Sequence, residues 1–162
     1  MVTKAFFGPG TAPFTSKRLL ENLEKAIDNN LINDEIIVQL GHTKYSSNKM
    51  KLLDFVSSEE LNNLINSANL VITHGGVGSI IGSIKLNKKV IAVARLSKYK
   101  EHVNDHQIQI VKNFDEEGYI IGIDDACKLS LALNRINNFI PKKFESNSQK
   151  ILNIVSDFID NN

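Results

Sequence analysis

Short runs rich in β-branched residues alternate with amphipathic helical patterns along almost the whole chain, and few folds accept that alternation. Runs at residues 4–7, 35–40, 51–55, 70–73, 89–94 and, more weakly, 119–121 read as strands. Helices are predicted at 16–29, from Ser57, at 79–86, 105–113 and 125–135, and after Pro141, the last within an amphipathic segment from about residue 145. A parallel pair needs a crossover long enough to hold a helix, so strands separated by helices imply a parallel sheet. The fold class is α/β: one domain over 1–162, with a mostly parallel sheet of about six strands and helices on both faces.

Each helix carries its own signals. Leu19, Leu20, Leu23, Ala26 and Ile27 share one face of the first. Ser57-Ser-Glu-Glu60 offers a capping box ahead of Leu61, Leu64 and Ile65, and Asn87 suits the left-handed position after a helix. Ile151, Ile154, Val155, Phe158 and Ile159 form a closing stripe, read as core packing, with a partner-docking surface as the alternative.

At 162 residues and 42% hydrophobic, the chain can bury a core of its own. Its net charge of +1, with both signs interspersed, leaves no footprint for nucleic acid. Cys127 is the only cysteine, which excludes an internal disulfide and suits a reducing compartment; it reads as a small buried residue. Residues 1–7 lack the apolar core of a signal peptide, and no apolar run approaches the roughly 18 residues of a membrane span. Any membrane association is expected to come through a partner.

Residues 70–79, Leu-Val-Ile-Thr-His-Gly-Gly-Val-Gly-Ser, run from a strand into a glycine-rich turn and then into a helix. Gly75, Gly76 and Gly78 allow close backbone approach, and the first N–H groups of the helix point at the same place, which makes an anion site. In parallel sheets ligands bind beyond the carboxyl ends of the strands. Gly8-Pro-Gly-Thr11, His42, His74, His102 and His106 all fall at that edge, with Arg95, Lys98, Tyr99, Glu101, Asp105 and Gln107.

Competing motifs fit less well. A dinucleotide fingerprint belongs after the first strand with an acidic residue about 20 positions on, but here the first turn is Gly8-Pro-Gly-Thr11 and the second strand ends in Leu40-Gly41-His42. His102 and His106 sit four apart with Asp105 between them, yet no H-E-x-x-H pattern is present, Asp105 also reads as a helix N-cap, and no metal is assigned. Ser79 stands one position early for a nucleophile elbow.

Residues 71–79, followed by Lys88-Lys-Val-Ile-Ala-Val-Ala-Arg95 and Lys98-Tyr-Lys-Glu-His-Val-Asn-Asp-His-Gln107, resemble the C-terminal, donor-binding domain of family 28 glycosyltransferases. The likeness is nearest to stand-alone bacterial subunits of capsular and exopolysaccharide transferases, the PssE/EpsF type. It is more distant to the catalytic half of the eukaryotic two-component enzyme that adds the second N-acetylglucosamine to dolichol-linked oligosaccharide. The match runs from Gly10-Thr11 and Pro13-Phe14 through Gln107.

The resemblance implies a Rossmann-like half of a GT-B enzyme and an inverting, UDP-sugar-dependent hexosyltransferase active with a second subunit. That partner would be a membrane-associated, acceptor-binding subunit, and the acceptor a lipid-linked saccharide. The chain would be cytoplasmic, recruited to the inner face of the membrane through its partner; self-association is left open. By position, His74, Gly75, Gly76, Val77, Gly78 and Ser79 would contact the diphosphate and sugar. Arg95, Glu101, Asp105, His106 and Gln107 would complete the donor pocket, and Gly10 and Thr11 would line the interdomain cleft. No cofactor is implied. The base that deprotonates the acceptor lies on the other domain in two-domain relatives, with His74 and His102 the candidates here. Several relatives carry a glutamate for the ribose hydroxyls four positions after the last glycine, where this chain has Gly82. A non-catalytic activating or scaffold subunit is the alternative.

Overall fold

The computed structural model describes residues 5–7, 17–146 and 148–160; the site residues Gly10 and Thr11, with all of residues 8–16, lie outside them. The strands are β1 (Ala5–Phe7), β2 (Ile37–Gln39), β3 (Lys51–Leu53), β4 (Leu70–His74), β5 (Lys89–Val93) and β6 (Ile121–Ile123). They form one sheet in the order β3-β2-β1-β4-β5-β6, with every neighbouring pair parallel. The helices are α1 (Lys17–Asp28), α2 (Ser58–Ser67), α3 (Val77–Lys85), α4 (His106–Glu116), α5 (Leu129–Ile136) and α6 (Gln149–Asp160).

Alternation along the buried strands sorts two cores. Leu70, Ile72, Ile91 and Val93 pack with Leu19, Leu20 and Leu23 of α1 and with Leu129, Ala132 and Leu133 of α5. Val71, Val90, Ala92 and Ala94 face the other way, against Ile65 of α2, Ile80 and Ile84 of α3, and Val111 and Phe114 of α4. Odd and even positions of one strand thus serve opposite faces of the sheet.

Helix ends follow local chemistry. Ser57 Oγ accepts from the Glu60 N–H at 3.2 Å and caps α2. Asn30, Asn87 and Gly118 take positive φ after α1, α3 and α4. After each, two backbone N–H groups return to the last turn: Asn87 to the Ile84 carbonyl and Lys88 to that of Ser83, for example. This Schellman closure satisfies carbonyls that would otherwise be orphaned. It also explains why β6 begins at Ile121 and not at 119: Gly118 and Tyr119 are spent closing α4, through the carbonyls of Asp115 and Phe114.

One expectation changes, that for Cys127, and the core-packing reading of the C-terminal stripe holds for two of its residues. Cys127 is exposed, because it sits in the 3-10 turn Ala126–Lys128 just after Asp125, outside the packed side of α5. Of the C-terminal stripe, Ile151 and Ile154 are buried in the second core, so that part of α6 holds the fold together and is not free for a partner. Ile159 is exposed, and the side chain of Phe158 lies outside the described set. No described helix is long and apolar enough to cross a membrane.

Candidate functional site

The chain order reverses between β1 and β4, one leading out to β2 and β3 and the other to β5 and β6. Such a switch point opens a crevice at the carboxyl ends of its two strands. The glycine turn leaves β4 there. Gly75 N–H still bonds to the sheet, at the Val93 carbonyl (2.8 Å), and Gly76 N–H turns back to the His74 carbonyl (2.8 Å) and Nδ1 (3.2 Å). Gly76 then caps α3 without a side-chain hydrogen bond, so the helix opens at Val77, two residues before the sequence placed it.

The first intrahelical bond is Ile80 N–H to the Gly76 carbonyl at 3.1 Å. The N–H groups of Val77, Gly78 and Ser79 therefore precede the helical ladder and have no acceptor among the described residues. A helix N-terminus favours an anion by about 0.3–1 kcal/mol, and a hydrogen bond to a charged group adds about 1.5–3. Three such donors converging on one place can hold a phosphate without a cation.

The three glycines are not equivalent. A Cβ on Gly75 would stand 2.6 Å from Val111 Cγ2 and 3.1 Å from Gln107 Cβ, so that glycine lets α4 pack on the turn. One on Gly76 would meet His74 Cε1 at 2.9 Å. Gly78 has nothing within 4 Å; it faces open space, as does Gly82 one turn later. That space is a cavity of about 360 Å³ between α2 and α3, lined also by Ser79, Ser83, Gln39 and Thr73.

Thr73 and His74, adjacent in β4, part company. Thr73 lines the α2–α3 cavity, whereas the buried His74 lies on the α1 side with Arg18, Arg95 and Glu101. Arg18 binds the Glu101 carboxylate with two 2.9 Å hydrogen bonds, reaches Asp125 Oδ1, and stacks 4.0 Å above the Tyr99 ring. Burial works against the Arg18 charge, but the hydrogen bonds and charges of Glu101 and Asp125 prevail and raise its pKa. Burial lowers that of Arg95 to about 10, with Glu101 opposing, so it stays cationic at neutral pH.

Several predicted donor residues tie the loop after β5 to the scaffold. Glu101 Oε2 also accepts from Leu96 N–H (3.1 Å). Gln107 Oε1 accepts from Arg95 N–H (3.0 Å), and Asp105 Oδ1 from Ser97 N–H (2.7 Å). The Ser97 bond holds the Asp105 carboxyl below the usual range. His102 Nδ1 meets Asn104 Oδ1 at 3.2 Å, while His106 is exposed on the first turn of α4, its N–H on that same Asn104 oxygen. No group of three or more metal-binding side chains occurs among the described residues.

Sequence reasoning did not single out Arg18, Gln39, Thr73 or Asp125. Arg18 and Glu101 are 83 positions apart, and nothing local to either announces the pair. For Thr73 the strand alternation was a usable signal, since it puts residue 73 opposite residues 72 and 74.

Residues 12–161 match the glycosyltransferase family 28 C-terminal domain. The chain belongs to this family. Among curated relatives of this glycosyltransferase domain, the UDP-N-acetylglucosamine transferase subunit ALG13 of Candida glabrata is 31% identical over 154 residues, covering 88% of this chain and 74% of that protein. ALG13 of Saccharomyces cerevisiae is 37% identical over 73 residues, 44% of this chain and 34% of that one. These curated relatives are yeast proteins, of the eukaryotic type to which the sequence resemblance is more distant. The solution structure of ALG13 superimposes with a TM-score of 0.60 at 22% identity, covering 95% of both chains. MurG of Acinetobacter baumannii gives 0.59 at 16%, covering 85% of this chain but 41% of that one. Both show the shared Rossmann-like fold, and the domain spans less than half of the longer transferase.

Proposed function

We propose that this domain is the donor-binding and catalytic subunit of a two-component inverting transferase that moves a sugar from a UDP-sugar to a lipid-linked saccharide. The observation that carries the reading is the set of three open N–H groups at the start of α3, at the switch point of the sheet and beside a cavity. An acceptor hydroxyl oxygen attacks the anomeric carbon, the bond from that carbon to the diphosphate oxygen breaks, and UDP leaves with the electron pair. The amides of Val77, Gly78 and Ser79 offset the charge that develops on the leaving oxygen. The hydroxyl proton passes to a base on the acceptor subunit, or to His74 or His102 on this chain. Arg95, Glu101, Asp105, His106 and Gln107 hold the far side of the pocket, Gly75 and Gly76 shape the turn, and Gly10 and Thr11 line the cleft.

N-acetylglucosamine is the favoured sugar, because the ALG13 relatives are subunits of a UDP-N-acetylglucosamine transferase; those relatives are yeast proteins, so the capsular or exopolysaccharide setting rests on the sequence resemblance alone. A membrane-associated partner would cover the carboxyl-end rim, where Phe55 and Val103 stand 59% and 74% exposed after β3 and β5. Recruitment to the cytoplasmic membrane face would follow from that contact.

The scaffold alternative draws on Gly82, which offers no carboxylate to the cavity. Transfer of labelled sugar by this chain combined with membranes carrying its acceptor subunit separates the two. Gly78→Asp puts a carboxylate into the anion space, and the donor reading predicts transfer below about a hundredth of wild type, the loss of some 3 kcal/mol of phosphate binding. Undiminished transfer by that variant would leave only the scaffold role.

A further inference from the structure

Arg18 is the second residue of α1, the helix that follows β1, yet its guanidinium serves two other connections. Nε and Nη2 donate to the two oxygens of Glu101 in the loop after β5, and Nη1 donates to Asp125 in the turn after β6. The Tyr99 ring lies against the same guanidinium, its centroid 4.0 Å from Cζ. One side chain thereby joins the elements that follow β1, β5 and β6 at the carboxyl edge of the sheet.

Stability alone does not account for this arrangement. Taking two charges out of water costs about as much as their attraction returns, so a buried ion pair is seldom more stable than an apolar pair of the same shape. What the forked geometry does supply is a fixed position, because a planar guanidinium meets a carboxylate in one orientation.

That position is passed on to the glycine turn. Glu101 Oε2 also accepts from Leu96 N–H, and the Glu101 N–H bonds back to the Leu96 carbonyl at 3.2 Å, which closes the loop on itself. Next to Leu96, the Arg95 N–H donates to Gln107 Oε1, and Gln107 Cβ stands 3.1 Å from where a Cβ on Gly75 would be. Gly75 comes two residues before Val77, the first of the open amides of α3. Glu101 is 6% exposed and both its oxygens are engaged within the protein, so it acts on a ligand through the loop and not by contact.

We propose that Arg18 is a positioning residue for the sugar-nucleotide donor: through Glu101 it holds the loop between β5 and α4 against the glycine turn. The inference rests on the donor-site reading. Two measurements test it on the full chain, well below each thermal midpoint: titration with UDP, and transfer of labelled sugar with membranes carrying the acceptor subunit. Wild type is compared with Arg18→Gln, Glu101→Gln, the double variant and Arg18→Lys.

Each single Gln variant should bind UDP about tenfold more weakly, the worth of one hydrogen bond, and should raise the donor KM while kcat at saturating donor is retained. The double variant should lose no more than either single one, because both break the same link. Arg18→Lys keeps the cation beside Glu101, which protects the fold, but lacks the fork, so its UDP affinity should fall between those of wild type and Arg18→Gln. A merely structural pair would lower the thermal midpoints and leave UDP affinity and donor KM of the folded variants at wild-type values, which would overturn the positioning role alone. Wild-type affinity in Arg18→Lys would do the same, and it decides the matter where the Gln variants do not fold. Losses that multiply in the double variant, to about a hundredfold, would also overturn it, since Glu101 would then touch the ligand itself. Absence of UDP binding by wild type would overturn the donor reading, and this role with it.

Discussion

Gly75 and Gly78 are three residues apart in one motif and answer to different demands. A methyl on Gly75 would enter Val111 at 2.6 Å, whereas one on Gly78 would stand in open cavity. Gly75→Ala should therefore cost about 1–3 kcal/mol of stability through overpacking. Gly78→Ala, at a helical position, should leave stability unchanged or raise it by up to about 1 kcal/mol. Denaturant melts check both, and UDP titration should show weaker binding for the stable Gly78→Ala protein. The motif as a ligand turn was legible in the sequence, but the division of labour within it was not. Glycine is identical on the page whether it makes room for a neighbouring helix or for a ligand, and only the packing of α4 tells them apart. His74 and Thr73 teach the same lesson, since a strand gives adjacent residues to opposite faces.

At the scale of elements, local chemistry was readable where it acts within a few residues. Ser57 caps α2, and Asn87 closes α3 in the left-handed conformation, as their types suggest. The amphipathic stripe of α6 was visible too, and Ile151 and Ile154 pack in the core as that stripe suggests; which of the two cores takes them was not legible, because periodicity shows an apolar face without naming what covers it. The tie between α1 and the loop after β5 lay beyond sequence reasoning altogether, since Arg18 gathers Glu101, Tyr99 and Asp125 from distant positions. This tie predicts a pH signature. Burial works against the Asp125 carboxylate, but the Cys127 N–H and Arg18 outweigh it and lower its pKa below the ordinary value of 3.8. A carboxylate with a depressed folded-state pKa stabilises fully above its unfolded value and loses that contribution as pH falls through the folded one. Asp125→Asn should therefore lower the thermal midpoint by a constant amount between about pH 5 and 8, and the gap should close below about pH 4. A gap that persists at low pH would assign the effect to packing.

For the molecule as a whole, alternating strands and helices announced a parallel α/β sheet, and the order β3-β2-β1-β4-β5-β6 sets its switch point beside the glycine turn. The class was legible because each element carries its own period. The order was not, because it depends on which strands meet across the sheet. The family match over residues 12–161 agrees with this architecture, while longer transferases of the same fold, such as MurG, carry more chain beyond the matched part than within it. The central claim is that the start of α3 is the diphosphate site. Amide chemical shifts of the 15N-labelled chain, followed during titration with UDP, test it most directly. Saturable shifts are expected at Val77, Gly78 and Ser79, with a single dissociation constant below about 1 mM, the affinity that corresponds to some 4 kcal/mol of net binding. Unmoved amides at these three residues at millimolar UDP, or saturable shifts confined to another face, would contradict it.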